Sequence, residues 1–190
     1  MSSLRIGALL IAFALTFCAS VARAETFSVE AVKAAFLYRF ASYVEWPADS
    51  PTTPFVIAVA GDEEVAKQLE ALAPRMAVNR QPVQLRRVTR VADLDGVHIF
   101  YVGPSALVRT RALRKVAIER PILIVTDDDQ GLDGGAVINF IEASRNVRFE
   151  ISVIAADRAR LKIDSALLSV AARVERRPPA IRSVDEGKPE

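Results

Sequence analysis

Three short, almost uninterrupted apolar runs limit what this chain can fold into: Phe55–Ala60 (FVIAVA), Val97–Val102 (VHIFYV) and Pro121–Thr126 (PILIVT). Each is too short for a buried helix and the right length for a strand. A strand without polar alternation must be covered on both faces, as in a parallel sheet held between helices. Helical stretches fall where such covers are needed. Asp62–Ala73 follows the first run with Asp62 as its cap, and Ser105–Ile118 follows the second, with Ser105 as cap after Pro104. Val83–Val88 (VQLRRV) is more polar and is expected at an edge. This β-α-β-β-α-β progression predicts a single-domain α/β fold with a mostly parallel central sheet flanked by helices.

The last third departs from that pattern. Ala136–Glu142 and Val147–Ile154 are separated by a connection of hairpin length. Val147, Phe149, Ile151 and Val153 alternate with Arg148, Glu150 and Ser152, so one face is wet and the hairpin is expected as an antiparallel margin of the sheet. Ile163, Leu167, Val170 and Val174 then mark a final helix capped by Asp164 or Ser165. Arg176-Arg177-Pro178-Pro179 ends it, and 176–190 reads as a mobile tail.

The segment before the first strand, Val32–Pro47 (VKAAFLYRFASYVEWP), holds five aromatic residues: Phe36, Tyr38, Phe40, Tyr43 and Trp46. On a helix, Val29, Val32, Phe36, Phe40 and Tyr43 lie within about 80° of one another, the width of a buried stripe. Ser28 is placed to cap this helix, and Pro47 drives Trp46 out of the α region and stops it. Tyr38 falls on the opposite, polar half. It is either a lone surface tyrosine or part of a partner contact, with Trp46 as a second contact residue.

The N-terminus points to export. Arg5 precedes an apolar stretch from Ile6 to Phe17, and Ala22-Arg23-Ala24 offers the small residues that a signal peptidase requires. The stretch is short for a membrane span of about 20 residues. Residues 1–24 are therefore expected to be a cleaved signal peptide, leaving an exported domain over 25–175 with no stable membrane anchor. Cleavage removes Arg5, Arg23 and Cys18, leaving 23 basic against 23 acidic residues and no cysteine. A neutral chain has no electrostatic basis for binding nucleic acid, and a chain without cysteine has neither disulfide nor thiol nucleophile.

Most catalytic chemistries fail on inventory. His98 is the single histidine and sits within an apolar strand, where a hydrogen-bonded structural role is expected. No His/Cys metal site can be assembled, and there is no G-x-S-x-G, Walker A or G-x-G-x-x-G motif. No cofactor and no catalytic residue is assigned. The acidic loop Asp127–Asp133 has Leu132 at position six of a calcium loop when aligned on Asp127, and Phe140 at position twelve when aligned on Asp129, so it reads as a solvated turn. Gly103-Pro104-Ser105 offers a helix N-terminus without nearby acids, where amides and the Ser105 hydroxyl can hold a small anion or simply cap the helix. Asn139 interrupts the apolar strand Gly134–Phe140, and Arg148 and Glu150 stand on the polar side of the facing strand. These three form either a cross-strand polar pairing or the lining of a ligand or partner site.

Taken in order, Lys33–Phe40 (KAAFLYRF) continuing to Trp46-Pro47, Gly134–Phe140 (GGAVINF), Val147–Ser152 (VRFEIS) and Leu161–Ala171 (LKIDSALLSVA) resemble the motifs of the YfiR family of exported proteins, across essentially all of 28–174. The resemblance implies a small, non-catalytic periplasmic α/β domain, often dimeric. Its best-known members bind the periplasmic sensory part of a membrane diguanylate cyclase and repress cyclic-di-GMP synthesis. Some members use disulfides, which a cysteine-free mature chain lacks, and Ser152 stands where the family commonly has Asn. The expected function is thus a periplasmic regulatory protein that acts on an inner-membrane signalling partner. A small-molecule binding module, with its ligand near Gly103–Ser105 at the C-terminal ends of the parallel strands, is the alternative.

Overall fold

The three apolar runs lie side by side at the centre of an eight-stranded sheet in the computed structural model, which describes residues 27–50, 53–129, 131–143 and 146–176. The expected signal peptide, and the expected tail beyond Arg176, fall outside these residues. In chain order the first elements are α1 (Val29–Phe40), β1 (Val44–Glu45), β2 (Phe55–Ala60), α2 (Glu63–Leu72), β3 (Ala77–Val78), β4 (Gln81–Arg87) and β5 (Ile99–Val102). There follow α3 (Arg111–Ala117), β6 (Leu123–Thr126), β7 (Ile138–Ala143), β8 (Asn146–Ser152), α4 (Val153–Arg158), β9 (Lys162–Ile163), α5 (Ser165–Val170) and β10 (Arg173–Glu175). The sheet order is β10-β8-β7-β6-β5-β2-β4-β3, and β1 and β9 form a separate antiparallel pair. Only the β7–β8 and β3–β4 pairings of the large sheet are antiparallel. The chain is therefore the expected α/β fold with a mostly parallel sheet.

Every residue of β2, β5 and β6 is buried, because both faces of the sheet are covered. Ile57, Ile99 and Leu123 face Leu37 of α1 and Val65 and Leu69 of α2 on one side. Val56, Ala58 and Phe100 face Leu94 and α3 residues Leu113 and Ala117 on the other. β4 alternates between half-buried and exposed residues and is paired on its outer side only by the two residues of β3, so it behaves as the expected edge.

Several boundaries differ from the sequence reading. Ser28 caps α1 as expected, accepting from Ala31 N at 3.2 Å, but the helix stops at Phe40 rather than reaching Trp46. A turn over Ala41–Tyr43 frees Val44–Glu45 to pair with β9, an arrangement closed by Asp164 N–H donating to Tyr43 O. The buried face is also rotated: Lys33, Ala34, Leu37 and Phe40 are buried, while Phe36 and Tyr43 are half-buried. The final helix ends at Val170, and Val174 enters β10, where it extends the sheet parallel to β8. The hairpin is consequently one strand in from the margin. Its second strand stops at Ser152, whose hydroxyl caps α4 by accepting from Ala155 N. Ser105 lies in a short 3-10 turn, and α3 begins only at Arg111, so Ser105 caps no helix.

Candidate functional site

At the C-terminal ends of the parallel strands, polar side chains form a closed seam. Asp62 caps α2 with one oxygen and accepts from the Tyr101 hydroxyl with the other, at 3.1 Å. Burial, reinforced by the Asp62 charge, holds the Tyr101 phenol far above its ordinary pKa, so it acts as a donor. Lys33, a lysine on the buried face of α1, reaches Asp127 at 2.6 Å. Asn139 Oδ1 accepts from Thr126 Oγ1 at 2.8 Å and Asp128 N at 3.1 Å, and its Nδ2 donates to Asp128 O at 2.7 Å and Glu150 Oε1 at 3.1 Å. Glu150 Oε2 in turn accepts from Arg173 Nε at 2.7 Å. The loop after β6 must pass so close to this network that a side chain at Gly131 would collide with Thr126 Oγ1 and Asn139 Oδ1.

Two of the residues flagged from sequence, Asn139 and Glu150, are thus brought together, opposite each other in register. Arg148 is not: it is exposed opposite Ile141. Ser105 donates to Gly61 O at 2.7 Å, tying the loop after β5 to the loop after β2. A side chain at Gly103 would strike Asp62 and the Gly61 carbonyl, so these two loops are packed against each other at the crevice where a ligand was expected. Sequence reasoning missed Lys33, Thr126 and Arg173. Lys33 shares the spacing of Leu37 and Phe40, and that i, i+4, i+7 pattern is the signal that places it on the buried face.

The opposite end of the sheet is open. Trp46 packs edge-on against Phe55 and His98, with ring centroids 5.2 and 5.9 Å away. His98 stacks on Phe55 at 4.4 Å and accepts from Val56 N at Nδ1, consistent with a structural histidine. These residues, with Glu45, Pro47, Ser50, Asn79 and Gln81, wall a cleft of about 380 Å³. Trp46 Nε1 and Ser50 Oγ are themselves buried and have no hydrogen-bond partner. Tyr38 is half-buried rather than isolated on a polar face, and its hydroxyl donates to Ala77 O at 3.1 Å. It therefore anchors β3, and the β3–β4 turn carries Asn79 into the wall of the cleft.

A third feature is the outward face of α1. Phe27, Ala31, Val32, Ala35, Phe36 and Leu72 line a groove of about 500 Å³, with Arg39 and Gln68 at its sides. Phe36 and Arg39 also border a cleft of about 320 Å³ that runs to Leu167 and Val170 of α5. Phe27 and Val170 are 75% and 63% exposed, so this apolar band is open to solvent.

A family model described as YfiR/HmsC-like matches residues 30–172. No curated protein matches the chain. Among solved structures, a conserved domain protein from Vibrio cholerae O1 biovar El Tor strain N16961 is similar with a TM-score of 0.52 at 10% identity, over 78% of this chain and 61% of that one. An ABC domain in complex with L-Trp from Streptococcus pneumonia is similar with a TM-score of 0.48 at 10% identity, over 64% of this chain and 55% of that one. The chain spans less than two thirds of either structure, and at such identity the first shares its fold alone. Among the described residues no helix is long and apolar enough to cross a membrane.

Proposed function

The chain belongs to the YfiR/HmsC-like family, and on that premise we propose that it is a periplasmic regulatory protein that represses a membrane-bound diguanylate cyclase by binding its periplasmic sensory domain. The family match over 30–172 is the observation that carries this reading. Physical features agree with a role in binding rather than catalysis. The polar groups at the C-terminal ends of the strands are bonded to one another, and the band of exposed apolar side chains on α1 and α5 is the kind of patch that marks a protein contact.

Repression follows from differential affinity. If the domain binds the inactive form of the receptor more tightly than the active form, it shifts the population toward inactivity. A factor of roughly 10⁴ in affinity is needed to invert a 1:99 equilibrium, which calls for a large, well-packed interface. We place that interface on the α1–α5 band, and we expect the working unit to be a homodimer, measurable by light scattering on the mature chain. Deleting the gene should raise cellular cyclic-di-GMP and surface attachment, and re-expression in the periplasm should restore both. An unchanged cyclic-di-GMP level in the deletion strain would remove the cyclase as target.

A further inference from the structure

Charge is unevenly spread along this chain. No acidic residue occurs over 96–118, while Arg109, Arg111, Arg114 and Lys115 fall together around the start of α3. Among the described residues none of these four forms an ion pair. Arg109, Arg111 and Lys115 are exposed, and Arg114 donates to Leu107 O at 3.4 Å. Of the acids that flank the run, Asp95 holds Arg120 at 2.7 Å, Asp93 accepts from Thr89 N and Arg90 N, and Glu119 lies just past the end of α3. Beside the cations stands Val108, 90% exposed, the most of any large apolar side chain among the described residues. We propose that the Val108 turn and the start of α3 dock the protein on an anionic phospholipid bilayer.

The turn over 107–110 is fastened so that Val108 stays outside. Thr110 is buried, and its N–H and hydroxyl both donate to Ala106 O, at 2.9 and 2.7 Å. Ala106 and Leu113 sit in the core on either side of the turn. Val108 is left as a protruding tip, with exposed Arg109 and Arg111 next to it. A protruding apolar tip needs a matching pocket in a protein partner, whereas a fluid bilayer takes it in among the lipid head groups. The surrounding cations then meet lipid phosphates, and each strengthens the hold on an anionic surface. α3 covers the face of the sheet opposite α1 and α2. Docking through it leaves the α1–α5 band uncovered, and it does not depend on which protein that band meets.

Flotation of the mature chain with vesicles tests this, comparing a phosphatidylglycerol–phosphatidylcholine mixture with phosphatidylcholine alone. At low ionic strength the protein should float with the anionic vesicles and not with the neutral ones. Salt at about 1 M, where the Debye length is about 3 Å, should release it. Arg109→Gln, Arg111→Gln and Lys115→Gln combined should weaken binding about a hundredfold, from about fivefold for each charge. Val108→Ser should weaken it about tenfold, as loss of one buried valine does. All four positions are exposed, so both variants should keep Tm within about 2 °C, which separates lost docking from lost fold. Absence of flotation with anionic vesicles overturns the proposal, as does equal flotation with neutral ones or native-like flotation by either variant. Binding to soluble polyglutamate as tight as to anionic vesicles also overturns it, and would assign the patch to an acidic protein.

Discussion

Asn139 has all four of its hydrogen-bonding positions occupied inside the protein, by Thr126, Asp128 twice and Glu150. Truncation leaves several buried groups unanswered, each costing about 1–3 kcal/mol. Asn139→Ala should therefore lower stability by roughly 2–3 kcal/mol once partial relaxation is allowed, which at this chain length is about 5–10 °C in Tm. Thermal unfolding by circular dichroism checks this; a shift under 2 °C would mean that water replaces the amide and the seam is not structural. An amide inside an apolar strand opposite Glu150 was legible as a polar intrusion, because strand alternation leaves it no other reading. Its partners were not. The Asp128 backbone, Thr126 and Arg173 reach Asn139 and Glu150 only through loop closure and the placement of β10, and no local pattern carries that. Tyr38 shows the converse. Helical geometry put it opposite the apolar stripe, yet α2 and β3 cover that flank and take up its ring and its hydroxyl.

At the scale of elements, the two-residue turn between β3 and β4 is the clearest local compromise. Asn79 and Arg80 both hold positive φ, as a type I′ hairpin turn requires, and the second position is one that glycine ordinarily fills. A non-glycine residue there costs roughly 1–2 kcal/mol, against roughly 0.5–1 kcal/mol for the extra freedom of glycine in the unfolded chain. Arg80 is exposed, so little packing is lost on replacement. Arg80→Gly should raise Tm by about 2 °C, from a net gain near 0.5–1 kcal/mol; a fall in Tm would show that the arginine side chain holds the hairpin. The central strands were legible because burial on both faces leaves an unmistakable run, whereas the spacing of Ile163, Leu167, Val170 and Val174 carries a helix too far. Its spacing suits a helix throughout, but the open edge of β8 recruits Arg173–Glu175 as a strand. Likewise α1 gives up its last turn because Val44–Glu45 find a partner in β9. In both places pairing with a distant segment overrides local preference.

For the whole molecule, the two ends of the sheet and its helical face differ in how open they are. The C-terminal ends, where open α/β sheets ordinarily bind ligands, are closed by contact between the loops after β2 and β5 and by the seam through Asn139. Among the described residues, the cleft at Trp46 and the apolar band across α1 and α5 stand open. The class of fold was readable from three apolar runs, but the distribution of open surface was not, since it depends on which flank of α1 the sheet leaves uncovered. That distribution separates two disruptions that would otherwise look alike. Ala35 is exposed on the floor of the groove, and Val170 is the exposed last residue of α5. A glutamate is compatible with a helix at either position, so Ala35→Glu and Val170→Glu should keep Tm within about 2 °C, as surface changes do, and leave Trp46 emission as in the native protein. If the band is the surface that meets the cyclase, a buried unpaired carboxylate in the complex should cost several kcal/mol, enough to abolish repression, and cells carrying either variant should show the raised cyclic-di-GMP of the deletion strain. Full repression by both variants would move the interface off α1 and leave the cleft end of the sheet as the face to test next.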